Sequence, residues 1–164
     1  MTTTEVQKIG EILEQVSDPE IPVLSVVDLG IVRDIIVNSD LVKVVITPTY
    51  NGCPAMDMIA VNIKAALQEA GFSNVQVELV WQPAWTTDMI SVNGRKKLRE
   101  YGIAPPENES VDKLALFGET VIVPCPRCNS ENTELISQFG STACKAMHRC
   151  LDCKEPFDYF KCHR

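Results

Sequence analysis

The sequence predicts a two-part α+β protein: an αββαβ(α) domain followed by a small β ribbon that depends on cysteines. Three observations carry this. Apolar residues recur at helical and strand spacing in the order α, β, β, α, β, α up to Tyr101. YGIAPPENES (101–110), with adjacent prolines and several polar residues, then breaks the pattern and reads as a linker. Finally, Cys53 is the single cysteine up to Tyr101, whereas Cys125, Cys128, Cys144, Cys150, Cys153 and Cys162 all follow it. The expected boundaries are 1–101 for the α+β domain, 102–118 for the linker and 119–164 for the ribbon.

Taken in order, Val6, Ile9, Ile12, Leu13 and Val16 form one helical stripe that must end before Asp18-Pro19. DPEIPVLSVVDLG (18–30) carries two prolines that forbid a regular central strand, and its last glycine suits a positive-φ turn, so it reads as an ordered loop. IVRDIIV (31–37) and LVKVVIT (41–47) are rich in β-branched residues, and Asn38-Ser39-Asp40 supplies the hairpin turn between them. Pro54 suits the first position of a second helix, whose stripe of Met56, Ile59, Ala60, Ile63, Leu67 and Ala70 runs until Gly71. VQVELVW (75–81) alternates as a third strand, and SVNGRKKLREYG predicts a short helix with Arg95, Lys96, Lys97 and Arg99 on a solvated face. Trp81 and Trp85 flank Pro83, and are expected either to pack at a strand end or to wall the neighbourhood of Cys53.

The chain holds 15 basic and 22 acidic residues, a net charge of −7, which argues against a polyanion as principal partner and so against nucleic acid. The start shows neither a basic nor an apolar leader region, and no apolar run is long enough for a membrane span. The expected location is the cytoplasm, with no membrane association. In that reducing compartment seven cysteines arranged partly as C-x-x-C pairs read as metal ligands, not disulfides.

Cys53 sits between a strand and a helix. A thiol at a helix N-terminus faces unpaired backbone N–H groups and the positive end of the macrodipole, both of which favour thiolate over thiol. Thr47, Thr49, Tyr50 and Asn51 in the preceding loop offer polar groups to whatever arrives beside the sulfur. The competing reading is a small buried hydrophobe. Neither histidine, His148 nor His163, is near in sequence, which disfavours a cysteine hydrolase.

Asp18-Pro19-Glu20, Asp28-Leu29-Gly30 and the run Thr47, Thr49, Cys53, Pro54 together resemble the MIP18 (DUF59) family of iron–sulfur assembly domains. The resemblance covers roughly residues 5–100. It implies that Cys53 handles an iron–sulfur cluster or its iron, with Thr47, Thr49, Asp18 and Glu20 as supporting groups. Capping of the loop is the competing role for Asp18, Glu20 and Asp28.

In the tail, CPRC (125–128) and CLDC (150–153) are two knuckles separated by 21 residues, an interval that a β hairpin spans. Cys125, Cys128, Cys150 and Cys153 would complete a closed tetrahedral site, which fits structural zinc, with a single rubredoxin-like iron as the alternative. So small a tail has too little core to fold unaided, so metal binding and folding should be coupled. TELISQFG, STACKAMHR and FDYF are the expected strands. Cys144, Cys162 and His163 remain as extra or substitute ligands, against packing for Cys144 and an exposed terminus for the others.

YGIAPP, CPRC, QFGSTACKA, CLDC and EPFDYFKC, in that order, resemble the D-component family of bacterial phenylacetyl-CoA (ring 1,2-) epoxidase systems. This implies a non-catalytic accessory or maturation factor in phenylacetate degradation, with the oxygenase or reductase subunits as partners. The chain has neither the Glu-x-x-His pairs of a di-iron bundle nor a Gly-rich dinucleotide fingerprint, so it is not expected to be the oxygenase or the reductase. One cysteine cannot encage a cluster, which takes about four thiolates or equivalents, so a homodimer or a site shared with a partner is expected. The rival readings are a zinc-only structural adaptor with an inert Cys53, an electron carrier using the tail, and a transcription-type ribbon, the last disfavoured by the acidic charge.

Overall fold

The computed structural model of the chain describes residues 3–106 and 121–161. These divide into two compact units at Trp85, with Met89–Ser91 returning to the first and Thr86–Asp88 joining the second. No helix among the described residues is long and apolar enough to cross a membrane.

The first unit contains α1 (Thr3–Leu13), β1 (Val32–Asn38), β2 (Leu41–Ile46), α2 (Ala55–Glu69) and β3 (Asn74–Leu79). The sheet order is β1-β2-β3. Strands β1 and β2 form the expected antiparallel hairpin, turned at Ser39 with φ of 44°. Strands β2 and β3 are parallel, which demands a crossover, and α2 supplies it. On β2, Val42, Val44 and Ile46 are buried, alternating with half-buried Leu41, Lys43 and Val45, as a strand with one covered face requires. The stripe predicted for α2 turns inward through Met56, Ile59, Ile63 and Leu67. Pro54 stands one position ahead of the helix, as its N-cap.

Residues 18–30 form an ordered loop tied to the end of α1: the Asp18 N–H donates to the Leu24 carbonyl at 2.8 Å and the Val26 N–H to that of Val16 at 2.9 Å. Gly30 has φ of +71°, and a Cβ there would lie 2.0 Å from the Met89 carbonyl oxygen, so no other residue fits. The Asp28 carboxylate accepts from the Ser91 hydroxyl at 2.8 Å, a structural capping role. The tryptophans divide. Trp85 is buried and donates its indole N–H to the Leu29 carbonyl at 2.8 Å, whereas Trp81 is 51% exposed.

The second unit contains α3 (Val92–Tyr101), β4 (Ile103–Ala104), β5 (Thr133–Ser137), β6 (Lys145–Cys150) and β7 (Pro156–Phe160). The sheet order is β4-β7-β6-β5, with β5, β6 and β7 antiparallel and β4 parallel to β7. The three ribbon strands fall where the sequence places them. Strand β4 does not: it lies in the stretch read as linker, and contacts group it and α3 with the ribbon strands. The cause is local. Gly102, with φ of +93°, turns the chain sharply after α3 and lets Ile103 and Ala104 pair with Asp158 and Tyr159. Arg95 is also not simply solvated, because its guanidinium donates to the carbonyls of Thr87 and Pro106. Residues 107–118 of the expected linker lie outside the described residues.

Candidate functional site

The four knuckle cysteines come together. Their sulfurs all lie within 4.8 Å of one another, with Cys125 to Cys153 at 3.8 Å and Cys128 to Cys150 at 3.6 Å. A tetrahedral ion with metal–sulfur bonds of about 2.3 Å requires sulfur separations of about 3.8 Å, so the donor set fits a closed four-thiolate centre. Each knuckle is built the same way. Asn129 and Lys154, the residues just after the second cysteines, adopt φ of 60° and 67°, which turns the next N–H back toward the sulfur. The Ser130 N–H then serves Cys128, and the Glu155 N–H serves Cys153. The N–H groups of Cys125 and Cys150 close the two loops on the carbonyls of Ser130 and Glu155, at 2.9 and 3.0 Å.

These N–H groups tune the thiols. Cys150 is drawn down to about 7, first by the backbone N–H of Cys153 and then, against burial, by that of Asp152. On Cys153 the Glu155 N–H is the largest influence and lowers it, yet burial and the neighbouring sulfurs together push it up to about 12. A second and third thiolate in this space repel one another, and a divalent cation removes that repulsion, so metal uptake must release protons.

Sequence reasoning missed the braces around this centre. Asp152 accepts from the Ser130 hydroxyl and, at 2.8 Å, from the Asn132 amide, joining the two knuckles from outside. The available signal was a polar side chain within the second knuckle and two more just after the first. Cys125 and Cys150 also belong to the ribbon's small core, with Ala104, Val123, Ala146, Phe157 and Tyr159. His148 stacks on Phe157 with ring centroids 5.7 Å apart, and burial lowers it to about 4, which leaves it neutral. Cys144 stands apart from the metal cluster: it is buried, with its sulfur 3.0 Å from the Thr142 hydroxyl. Cys162 and His163 lie outside the described residues.

Cys53 sits two residues ahead of α2, half-buried and not sealed in the core. Gly52, with φ of +77°, brings the chain to it, and a Cβ on Gly52 would meet nothing within 4 Å, so that side is open. The electrostatics differ from expectation. Burial raises the thiol, the Ala55 N–H and the Tyr50 hydroxyl lower it, and the carboxylates of Glu20 and Asp18 raise it again, for a net upward shift. The helix-terminal N–H is present, as read from the sequence, but desolvation outweighs it, so the resting form at neutral pH is the thiol.

The same influences show that the fold brings Asp18 and Glu20 into electrostatic reach of Cys53 from some 30 residues away. Asp18 is buried, and one of its oxygens caps the loop by accepting from the N–H groups of Glu20 and Ile21 at 2.7 and 2.8 Å. Thr47 is 1% exposed, and its hydroxyl has no hydrogen-bond partner among the described residues; Thr49 is half-buried. Cys53, Asp18 and Glu20 do not form a tight ligand group as the ribbon cysteines do.

Comparison with known proteins follows the same division. Residues 6–79 match the family described as iron–sulfur cluster assembly protein, and residues 109–161 the PaaD zinc beta ribbon domain. The D component of the putative 1,2-phenylacetyl-CoA epoxidase of Escherichia coli (strain K12) is 50% identical over 158 residues, covering 96% of this chain and 93% of that protein. An Fe-S protein maturation auxiliary factor of Porphyromonas gingivalis is 37% identical over 87 residues, covering 52% of this chain and 82% of its own length. The crystal structure of a DUF59 domain from Bacillus anthracis superposes with a TM-score of 0.52 at 28% identity, covering 56% of this chain and 89% of that one. The chain thus belongs to the PaaD family, the D components of 1,2-phenylacetyl-CoA epoxidase systems, in which an iron–sulfur-assembly (MIP18/DUF59) domain is joined to a zinc β ribbon.

Proposed function

We propose that this chain is a non-catalytic maturation factor of a cytoplasmic phenylacetyl-CoA epoxidase system, in which Cys53 holds iron or an iron–sulfur unit for delivery to the oxygenase or reductase subunits. The observation that carries it is an accessible thiol at the start of α2 with two carboxylates, Asp18 and Glu20, in electrostatic reach. Thiolate and carboxylate oxygen are both iron ligands, and a raised thiol suits temporary holding. Iron binding displaces the thiol proton to solvent, and return of a proton during ligand exchange frees the metal for a client's thiolate or carboxylate. A single thiol completes no cluster site, so the remaining ligands come from a second copy or from the client.

The ribbon holds one zinc ion through Cys125, Cys128, Cys150 and Cys153, a closed site without an open position for catalysis. Its task is to fold a docking module. The iron–sulfur assembly family matches residues 6–79 and the PaaD ribbon family residues 109–161, which supports assigning cargo to the first part and the system-specific contact to the ribbon.

The second reading is a structural zinc adaptor with an inert Cys53, favoured by the upward shift of the thiol. Anaerobic purification with metal analysis and absorption spectra of the intact protein and Cys53→Ala separates them. The maturation reading expects the variant to keep zinc, lose iron and fail to activate the epoxidase. Unchanged iron content and full activation in the variant leave the adaptor.

A further inference from the structure

We propose that Arg33 is the anion anchor of the Cys53 site, taking a negatively charged ligand (sulfide, thiolate or carboxylate) of the carried iron unit. This deepens the cargo reading above and rests on it. Strand β1 carries an extra residue here: Val32 pairs with Ile46 and Asp34 with Val45, so Arg33 has no partner in register. Such bulges re-aim a side chain and recur beside functional sites. One guanidinium nitrogen, Nη2, donates to the Pro83 carbonyl at 3.2 Å, whereas Nε is buried without an acceptor among the described residues. The neighbouring Asp34 carboxylate accepts from the Ile35 N–H at 2.8 Å.

A guanidinium is always charged, and a buried N–H without an acceptor calls for one to arrive. The location says which. The Thr47 N–H donates to the Ile31 carbonyl and the Val80 N–H to the Ile46 carbonyl, both at 2.9 Å, so the backbone of Thr47 and of Val80, next to Trp81, lies at the end of the sheet where Arg33 bulges and from which the Cys53 loop leaves. This is the carboxyl end of the parallel pair β2–β3, where such sheets bind ligands. The Thr47 hydroxyl, also buried and unpartnered among the described residues, is at the same end. Asp18 and Glu20 put negative charge within reach of Cys53; in the proposed site the Arg33 cation offsets their repulsion of an anionic iron complex.

The test uses the full chain under anaerobic conditions and two probes of opposite charge: ferrous ion, and a preformed thiolate-ligated 4Fe–4S cluster, which is a dianion. Arg33→Gln is expected to weaken cluster binding about tenfold and flatten its salt dependence, with ferrous ion binding unchanged or tighter. Arg33→Lys, which keeps the charge without the fork, should recover part of the loss, and Thr47→Val should weaken cluster binding a few-fold. Wild-type cluster affinity in Arg33→Gln overturns the anchor. Equal losses in the Gln and Lys variants, for both probes and with a lowered melting temperature, also overturn it by assigning Arg33 to packing. Cys53→Ala is read separately: undiminished binding there overturns the cargo reading, while the Arg33 variants still decide the anchor.

Discussion

Cys125, Cys128, Cys150 and Cys153 hold their sulfurs within 4.8 Å of one another on two matching knuckles, whereas Cys53 has no second thiol in its unit and sits near carboxylates. In the ribbon, backbone N–H groups are aimed at the sulfurs and draw Cys150 down to about 7. At Cys53 the N–H of Ala55 is outweighed by burial, and the thiol rises. The same element in two settings is thus prepared for opposite tasks. The four ribbon sulfurs are preorganised around one point, as a closed metal site requires, while Cys53 is held as the protonated thiol.

The largest effect should come from breaking the ribbon centre. Cys150→Ala removes a buried ligand, and because zinc binding in such small modules supplies about 10–16 kcal/mol of apparent folding free energy, the ribbon should lose its tertiary structure. Zinc analysis together with amide NMR would read this: ribbon resonances collapse while those of β1–β3 remain. A folded, zinc-loaded Cys150→Ala variant would overturn the closed-site assignment.

The converse change targets the other unit. Ile63 is fully buried on α2, and Ile63→Ala should cost about 2–5 kcal/mol of that unit's stability while leaving zinc content unchanged. Denaturant unfolding followed at Trp85 reads the loss; a shift below 1 kcal/mol, taken as a rough limit, would place Ile63 outside the core that positions Cys53.

A third measurement addresses the thiol directly. Because its ionisation is shifted up from 9.0, the thiolate fraction is small at neutral pH and grows about tenfold per unit as pH rises. Alkylation of Cys53 by iodoacetamide, followed on its peptide by mass spectrometry, should increase about a hundredfold between pH 7 and pH 9 without levelling off. A plateau below pH 8 would restore the helix-terminus argument over desolvation. Tyr50→Phe removes a lowering contact and should slow the reaction at every pH in that window.

The smallest effect is expected at the brace. Asp152→Asn weakens the links to Ser130 and Asn132 and should speed zinc transfer to a chelator by about tenfold or less, without unfolding the ribbon. An unchanged rate would mean that the knuckles hold their shape by backbone bonds alone.

Much of this was legible in local pattern. The spacing of Cys125, Cys128, Cys150 and Cys153 announced the metal centre because each knuckle is a short-range structure, and the β-branched runs and the α2 stripe announced the sheet and its crossover. Strand β4 escaped notice because two residues carry no periodicity; Ile103 and Ala104 become a strand only when β7 lies beside them. Arg33 escaped for a related reason, since a bulge is a mismatch between two strands and neither sequence contains it alone.

By itself, the sequence determined the division into an α+β part and a cysteine ribbon, the four-thiolate donor set, and the placing of Cys53 ahead of a helix, because all of these depend on residue type at short spacing. Tertiary structure decided the ionisation of that thiol and its company. Desolvation and the approach of Asp18 and Glu20 come from segments distant in the chain, and their summed effect exceeds that of the helix terminus beside it. It also decided that α3 and β4 group with the ribbon, since a strand two residues long exists only through the neighbour that accepts its hydrogen bonds.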